Sequence, residues 1–384
     1  MGPINPAAHL ELTQDFQGIE LPNRLRRLVF PEIKKLQELI QFNDDLVRVE
    51  VLDTIQVKNK EFPLVGFVIG SEDREAPTLG VCGGVHGLER VGAQVALTFL
   101  EYIFFQLCWN EDLRSFFKKA RLVSIPIVNP GGMFMHRRSN PNGIDLMRNA
   151  PIDAVDKAAF MVGGHRISKY LPWYRGRKGV PMEKESQALF DFMSREVVPS
   201  KFSIALDLHS GFGVRDRLWY PYAKTKAPFP YKTEALALKN LLDYTYRHHV
   251  YHVEPQSQIY TTHGDVWDYL FDQHFQSNQQ KGHRFIPLTL EMGSWGWIKK
   301  NPLQIFSASG LFNPIKSHRY DRIMRRHLPL LSFLLHAVNN SKNWLNLDLE
   351  NRNHWNPNLS TPHSGSLKSE ALKDIEKSNE KINQ

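Results

Sequence analysis

Cysteine is scarce in this chain, because only Cys82 and Cys108 occur among its 384 residues. Two cysteines cannot form a disulfide framework or a thiolate metal site, and such scarcity is typical of proteins from a reducing compartment. The first residues, MGPINPAAHLELTQ, also lack the basic start and the apolar core of a secretory signal. We therefore expect a cytoplasmic protein.

Long apolar runs and dense basic tracts are missing as well. The most apolar long window, residues 91–109, contains Gln94, Glu101 and Gln106, so it predicts a buried helix and not a membrane span. The formal net charge is +8, but the 48 lysines and arginines are spread along the chain, with clusters no denser than RLRR or MRRH. A solvated basic surface is the better interpretation. We expect neither a nucleic-acid nor a membrane partner, and the oligomeric state stays open.

The residues that are present support a sizeable core, because 42% of them are hydrophobic. Short apolar runs, typical of strands, occupy residues 121–128, 202–208 and 285–290. Segments with helical periodicity lie between or beside them, at residues 90–108, 182–197, 232–249 and 320–338. This alternation predicts one α/β domain, in which helices cover both faces of a twisted, mixed and mostly parallel sheet.

The ends of the chain differ from this central part. We expect residues 1–25 to form an N-terminal arm and residues 26–342 to form the α/β domain. Residues 343–384 are dominated by Asn, Ser and Lys and lack the apolar content for a core, so they predict a polar tail that is mobile or loosely packed.

Four ionisable residues follow three apolar runs. His86 and Glu89 follow TLGVCGGV, His209 follows SIALDL, and Glu291 follows IPLTL. For any one of them alone, a loop-capping role is the better interpretation. Because ligands of open α/β sheets bind beyond the carboxyl ends of the strands, we expect these four side chains to meet at one edge of the sheet.

Two histidines and one carboxylate form the three-ligand set of a catalytic zinc site. The spacing of three residues lets His86 and Glu89 turn toward one ion, and the glycines at 83, 84 and 87 relieve crowding of the backbone. We therefore predict one Zn²⁺ per chain on His86, Glu89 and His209. Zinc lowers the pKa of bound water to roughly 7, and a general base is still required. Glu291 is the candidate base, and its alternative is a carboxylate paired with an arginine.

Several motifs occur in order between residues 77 and 295. They are GGVHGLE at 83–89, VNPGG at 128–132, RSNPNGIDLMRN at 138–149, LDLHSG at 206–211, IYTTHGDVWDY at 259–269 and LTLEMG at 288–293. Their order and spacing resemble the zinc carboxypeptidase superfamily, the M14 metallopeptidases and their bacterial relatives. The resemblance implies a zinc-carboxypeptidase-like fold, metallopeptidase activity, and a peptide or peptide-like substrate.

The resemblance also implies roles for residues around the metal. Arg138, or its neighbour Arg137, would polarise the scissile carbonyl and stabilise the oxyanion. Arg148 would pair with a terminal carboxylate, and Asn149 would be a further substrate contact. Tyr260 would close over the substrate as a phenolic donor, or else it packs as an ordinary aromatic residue.

One position departs from the family pattern. Met147 stands where the family usually has an asparagine that helps to hold the terminal carboxylate, and a thioether donates no hydrogen bond. This departure leaves open whether a free C-terminus is required. An amide, a branched peptide and a modified amino acid are alternative substrates.

The resemblance places the side-chain pocket in the segment that follows the tyrosine. Trp267 would shrink or reshape this pocket, and Asp268 would lie nearby in it. The sequence leaves open whether Asp265, and Arg215 or Arg217, also reach the site.

Three functions are compatible with this pattern. The first is a zinc-dependent hydrolase of carboxypeptidase type that cleaves a peptide or peptide-like amide. The second is an N-acyl amino-acid deacylase, similar to aspartoacylase and succinylglutamate desuccinylase, with the same zinc site. The third is a catalytically inactive binding module. The tyrosine-bearing segment favours the first, and retention of all three ligands and the base argues against the third.

Overall fold

The computed structural model describes residues 30–278, 281–306 and 309–345. Its strands are β1 (Val47–Val57), β2 (Lys60–Gly70), β3 (Thr78–Gly83), β4 (Arg121–Ile125), β5 (Phe202–Ser210), β6 (Arg217–Tyr220), β7 (His252–Pro255) and β8 (Arg284–Met292). The α-helices of this part of the chain are α1 (Pro31–Ile40), α2 (Arg90–Leu107), α3 (Glu111–Phe117), α4 (Pro130–Phe134), α5 (Lys184–Glu196), α6 (Lys232–Thr245), α7 (Val266–Asn278), α8 (Trp295–Lys300), α9 (Ser317–Asn339) and α10 (Ser341–Trp344). The predicted arm, and the predicted tail beyond residue 345, lie outside the described residues.

The eight strands form one mixed sheet in the order β1-β2-β4-β3-β5-β8-β6-β7. Its central strands β4, β3, β5 and β8 pair in parallel, as the sequence predicts. An antiparallel hairpin, β1 and β2, continues the sheet beyond β4. On the other side β6 runs antiparallel to β8 and parallel to β7.

Two glycines of β3 show that helices cover both faces of the sheet. A Cβ added to Gly80 would meet Val197, at the end of α5, at 3.3 Å, whereas one added to Gly83 would meet the carbonyl oxygen of Gly92 in α2 at 2.7 Å. Because residues three apart on a strand point to opposite sides, α5 and α2 lie on opposite faces. Helix α9 packs with α2 against β3 and β5, and α7 packs with α5 and against β8.

Helix α2 follows the predicted helical segment 90–108 closely, since it begins at Arg90 and ends at Leu107, one residue early. Its apolar residues, including Val91, Val95 and Phe99, are buried against the sheet and α9. Among the described residues no single helix is long and apolar enough to cross a membrane. The bent pair α2 and α3 meets the length and composition criteria, with a bend of 113° between its two helices.

The three strands β3, β5 and β8 are neighbours and run in the same direction. Their carboxyl ends, at Gly83, Ser210 and Met292, therefore lie at one edge of the sheet. Helix α2 begins at the same edge, directly after β3 and the loop that carries His86 and Glu89.

Candidate metal centre

The three predicted zinc ligands converge at this edge, and all three side chains are buried. Nδ1 of His86 lies 2.9 Å from Oε1 of Glu89, and Nδ1 of His209 lies 3.0 Å from Oε2 of the same carboxylate. The two Nδ1 atoms are 3.2 Å apart. Ligand atoms on a tetrahedral zinc ion, at bond lengths of about 2.0–2.1 Å, are roughly 3.3 Å apart, so one ion suits this set.

The backbone around the ligand loop depends on glycine. Gly84 has φ of +63°, a conformation that disfavours side chains with a Cβ. A Cβ on Gly87 would lie 2.2 Å from the carbonyl carbon of Gly132, so the loop packs closely against the start of α4. The same loop is tied to the next segment, because the amide of Gly87 donates to the carbonyl oxygen of Arg138. His86 and Glu89 are thus held by packed backbone.

The outward-facing nitrogen of each histidine meets an aspartate that the sequence analysis did not assign to the site. Oδ1 of Asp145 lies 3.0 Å from Nε2 of His86, and Oδ2 of Asp207 lies 2.8 Å from Nε2 of His209. Carboxylates in these positions orient the imidazole and raise its basicity as a ligand. Two signals were present: Asp207 precedes His209 by two residues on one strand, so both side chains share a face, and Asp145 lies in the motif that carries Arg148.

Electrostatics keep the ligand carboxylate ionised. Burial opposes charge on Glu89, but His86 and His209 outweigh this and hold its pKa well below the usual range. Burial opposes charge on His209 too, yet Asp207 and Glu89 raise its pKa well above the usual value. For Asp145, the charges of Arg138 and His86 overcome burial and lower the pKa. A divalent cation bound by these ligands would lie among closely packed groups of opposite charge.

Glu291 faces the same site because of strand register. It is the direct partner of His209 in the parallel ladder between β5 and β8, so both side chains emerge on the same side of the sheet. Burial and the neighbouring charge of Glu89 raise the pKa of Glu291 to about 8, while His209 and Arg138 act in the opposite sense. Its Oε2 atom is buried and has no hydrogen-bond partner among the described residues. The predicted alternative, a carboxylate paired with an arginine, is not seen in these contacts.

Of the two adjacent arginines, Arg138 enters the site. Its Nη1 donates to Oε1 of Glu89 at 2.9 Å, and its Nε donates to Oδ2 of Asp145 at 3.0 Å. Burial works against its charge, but Asp145 and Glu89 prevail and raise its pKa above the ordinary value. Arg137 is exposed, so the structure places Arg138 and not Arg137 beside the metal ligands.

Arg148 and Tyr260 lie close to each other and to the charged groups of this cluster. Arg148 is buried, with Nε donating to the carbonyl oxygen of Val162 and Nη1 to that of Met147, both at 3.3 Å. Burial raises the pKa of Tyr260, and the positive charge of Arg148 opposes that shift. Burial also raises the pKa of Asp265, again against the effect of Arg148. Arg148 therefore faces both a phenol and a second carboxyl group.

Comparison with known proteins identifies the family. The sequence profile of Peptidase M14, described as zinc carboxypeptidase, matches residues 39–302, which is more than half of the chain. The chain belongs to the zinc carboxypeptidase family. It is accordingly a zinc metallopeptidase and a hydrolase by family, and its buried His-Glu-His cluster supplies ligands suited to the metal.

Several solved structures share the fold. Bovine thrombin-activatable fibrinolysis inhibitor, in complex with tick carboxypeptidase inhibitor, has a TM-score of 0.55 and 16% identity, over 77% of this chain and 92% of that one. Carboxypeptidase A from Helicoverpa armigera has a TM-score of 0.54 and 17% identity, over 83% and 74% of the two chains. A metallo-carboxypeptidase from Pseudomonas aeruginosa has a TM-score of 0.50 and 14% identity, over 79% and 67%. Among curated protein sequences, none matches this chain.

Two other predicted substrate contacts of this zinc carboxypeptidase, Asn149 and Asp268, form hydrogen bonds with backbone groups in the structure. The amide group of Asn149 donates to the carbonyl oxygen of Arg175 and accepts from the amide of Glu183. Asp268 is fully buried and accepts hydrogen bonds from the amides of Ala223 and Lys224. Substrate contacts through Asn149 and Asp268 stay predictions.

Trp267 lies beneath the metal centre. Its indole is buried, and Nε1 donates to Oδ2 of Asp207 at 2.8 Å, so it supports the aspartate that faces His209. Of the residues left open, Arg217 pairs with Glu254 and Arg215 contacts His252, and both contacts lie on the side of β7. The influence of Trp267 on side-chain selection stays a prediction.

Proposed function

We propose that this zinc carboxypeptidase relative hydrolyses a peptide or peptide-like amide bond with one zinc ion per chain, and that Glu291 transfers the protons. One observation supports this most directly. Oε2 of Glu291 is buried, has no hydrogen-bond partner in the described part of the chain, and belongs to the residue paired with the zinc ligand His209. A free carboxylate oxygen at that place is ready to accept a proton.

The residues divide the reaction between them. Zinc, when bound, supplies a Lewis acid that acidifies water and polarises the substrate carbonyl. Glu291 accepts a proton from the attacking water at Oε2 and donates it to the amine nitrogen as the carbon–nitrogen bond breaks. Proton transfer in both directions by one positioned carboxylate is general acid–base catalysis.

Arg138 stabilises the negative charge that develops on the carbonyl oxygen. Its guanidinium is fixed by Glu89 and Asp145 before any substrate arrives, so it needs little reorganisation during the reaction. The side chain keeps 21% of its surface exposed, which leaves one face toward the cleft.

Recognition of the substrate end depends on Arg148. Met147, which replaces the usual asparagine, is buried within the hydrophobic core, so it contributes no donor to a carboxylate. Arg148 remains as a planar bidentate donor for a free carboxylate, with Tyr260 beside it. A peptide with a free C-terminus is therefore the favoured substrate.

A substrate panel with two variants tests the proposal. The panel contains peptides with free, amidated and branched C-termini, together with N-acylated amino acids, each with and without chelator. Glu291→Gln should retain one zinc per chain but lose turnover by several orders of magnitude, because only the proton acceptor changes. Glu185→Gln is the matched control, since Glu185 is another buried carboxyl group with a raised pKa but accepts from Asn140 outside the metal centre.

The outcomes separate the possibilities. Chelator-sensitive cleavage of free peptides, lost in Glu291→Gln and kept in Glu185→Gln, supports the proposal. Full turnover in Glu291→Gln would remove its assigned role. Cleavage of N-acylated amino acids with no peptide cleavage would replace the peptidase by the deacylase that shares this metal chemistry.

A further inference from the structure

A second concave site lies away from the zinc ligands. It is a cavity of about 700 Å³ between the end of α6, the segment 246–251 and the middle of α9. Its apolar walls come from Leu242, Val250, Pro329 and Leu330. Cavities that bind small molecules typically measure about 300–1,000 Å³, so this one has a suitable size.

The lining of this cavity carries positive charge without a negative residue. The basic residues in its lining are Arg247, His248, His249, Arg325 and Arg326, and neither Asp nor Glu lines it. Two of these are already paired: Arg326 with Asp216 at 2.7 Å, and His249 with Asp243 at 2.7 Å. Of the other three, we call the two arginines, Arg247 and Arg325, the free cations of the basic cavity.

The side chains of the free cations have no hydrogen-bond or ion-pair partner among the described residues. Each is exposed, so water and salt now compensate its charge. One comes from the segment next to the end of α6 and the other from α9, so the tertiary fold brings together residues about 80 positions apart. Concave surfaces lined by one sign of charge concentrate ligands of the opposite sign.

The walls around the free cations are held in place by other contacts. The hydroxyl of Tyr251 donates to the carbonyl oxygen of Arg326 and also contacts Nδ1 of His327, which anchors the segment 246–251 on α9. Asp216 holds Arg326 and also accepts from the amide of Gly293 at 2.9 Å. The cavity is therefore a supported surface that presents cations.

We propose that the basic cavity binds a small molecule that carries two or more phosphate groups. Guanidinium forks form bidentate, charge-assisted hydrogen bonds with phosphate oxygens. A phosphate group carries roughly −1.5 to −2 charges near neutral pH, so two of them match the density of cations in this small volume better than carboxylates do. The apolar walls leave room for an organic body attached to the phosphates.

Calorimetric titration of the zinc-loaded protein at physiological salt tests the proposal. The probes are inorganic tripolyphosphate, adenosine triphosphate and tetraglutamate. Tripolyphosphate and the nucleotide share the phosphate chemistry and differ in the organic body, so their relative affinities show whether the apolar walls contribute. Any removal of zinc by the phosphates is common to all variants, since the zinc ligands are unchanged.

Charge reversal at the free cations is the decisive comparison. The variant Arg247→Glu/Arg325→Glu should bind tripolyphosphate at least roughly tenfold more weakly than the wild type, because two charge-assisted contacts become repulsive. The matched control, Lys118→Glu/Lys119→Glu, changes net charge equally at two exposed lysines of another surface and should bind normally. The variant Arg247→Gln/Arg325→Gln removes the two charges without reversing them, and it should keep the fold.

Three results would overturn the proposal. They are absence of phosphate binding in the wild type, equal loss of affinity in the lysine control, and tighter binding of tetraglutamate than of either phosphate. Peptide cleavage should be unchanged in the Arg247→Gln/Arg325→Gln variant, since both residues lie outside the catalytic machinery. Failure of this binding site would therefore leave the proposed catalytic function untouched.

Discussion

Replacement of Gly92 by alanine should separate two zinc ligands without touching either of them. A Cβ on Gly92 would lie 2.1 Å from the carbonyl oxygen of Leu208, whereas real Cβ atoms essentially never approach closer than 3.0 Å. Helix α2 and strand β5 must therefore move apart by about 0.9 Å, the difference between these two distances. Gly92 follows Glu89 by three residues, and Leu208 directly precedes His209, so the movement acts on the distance between these ligands.

The movement is large on the scale of metal coordination. Ligand distances in metal sites hold to within about 0.2 Å, so a displacement several times larger should weaken zinc binding by roughly 10–100-fold or more. Overpacking should also lower the free energy of unfolding, by roughly 1–3 kcal/mol. Replacement of a helical glycine by alanine offsets part of this by up to roughly 1 kcal/mol. We therefore expect a folded protein with a weakened metal centre.

Competition with a fluorescent zinc chelator measures the affinity, and thermal unfolding of metal-free protein measures the stability. Gly66→Ala is the matched control, because its Cβ would lie 2.6 Å from Cζ of Phe192 in the packing between β2 and α5, away from the ligands. This control should lose stability and keep its zinc affinity. If Gly92→Ala binds zinc as tightly as the wild type does, the contact between α2 and β5 does not set the ligand spacing.

Three further predictions concern single side chains. In metal-free protein the pKa of Glu291 rises from 4.5 to about 8 on folding. Glu291 therefore contributes stability below pH 4.5 that is lost as the pH rises to about 8, by a few kcal/mol at most, so urea unfolding of Glu291→Gln should depend less on pH than that of the wild type. An identical pH dependence in both proteins would contradict the raised pKa. Arg148→Gln should raise KM chiefly for peptides with a free carboxylate, and an equal rise for amidated peptides would exclude carboxylate recognition. Asp145→Asn should lower zinc affinity by roughly 10–100-fold, since it weakens the orientation of His86, and wild-type affinity would show that Asp145 does not orient this ligand.

The metal ligands were predictable because they lie at or soon after the carboxyl ends of recognisable apolar runs. In the structure His209 is the last residue but one of β5, and the candidate base Glu291 has the same position in β8. Alternation of strands and helices placed His86, Glu89, His209 and Glu291 at one edge, and the structure brings them together there. The pairing of His209 with Glu291 was not predictable, since lateral register depends on hydrogen bonds between strands that are distant in sequence.

Side-chain partners around the ligands were harder to infer. Asp145 and Asp207 are single aspartates whose importance depends on which histidine nitrogen they meet, and only tertiary geometry determines that. Asn149 stays a predicted substrate contact, and the hydrogen bonds of its amide with backbone groups of Arg175 and Glu183 could not be inferred from the sequence. In the tyrosine-bearing segment, helix α7 begins at Val266, directly after Asp265. Oδ1 of Asp265 accepts hydrogen bonds from the backbone amides of Trp267 and Asp268 in the first turn of that helix.

The sequence analysis assigns no strand to β1, although polar and apolar residues alternate along it. Residues of β1 are mostly half-buried, since this strand lies at the edge of the sheet, so the contrast between its two faces is weak. A strand of this kind carries a weaker apolar signal than the fully buried β3, β4 and β5.

The ladder between β5 and β8 determines which segments of this protein can change in sequence without disturbing the hydrolytic residues. His209 and Glu291 are direct partners in this ladder. The main-chain hydrogen bonds of the sheet therefore fix the distance between them, and changes in the outer loops leave that distance unaltered. The stretch 151–181 contacts Arg148 through the carbonyl oxygen of Val162, and the stretch 256–265 carries Tyr260, and neither belongs to a strand of that ladder. Exchange of these stretches between relatives is therefore a route to new selectivity that leaves the hydrolytic step intact.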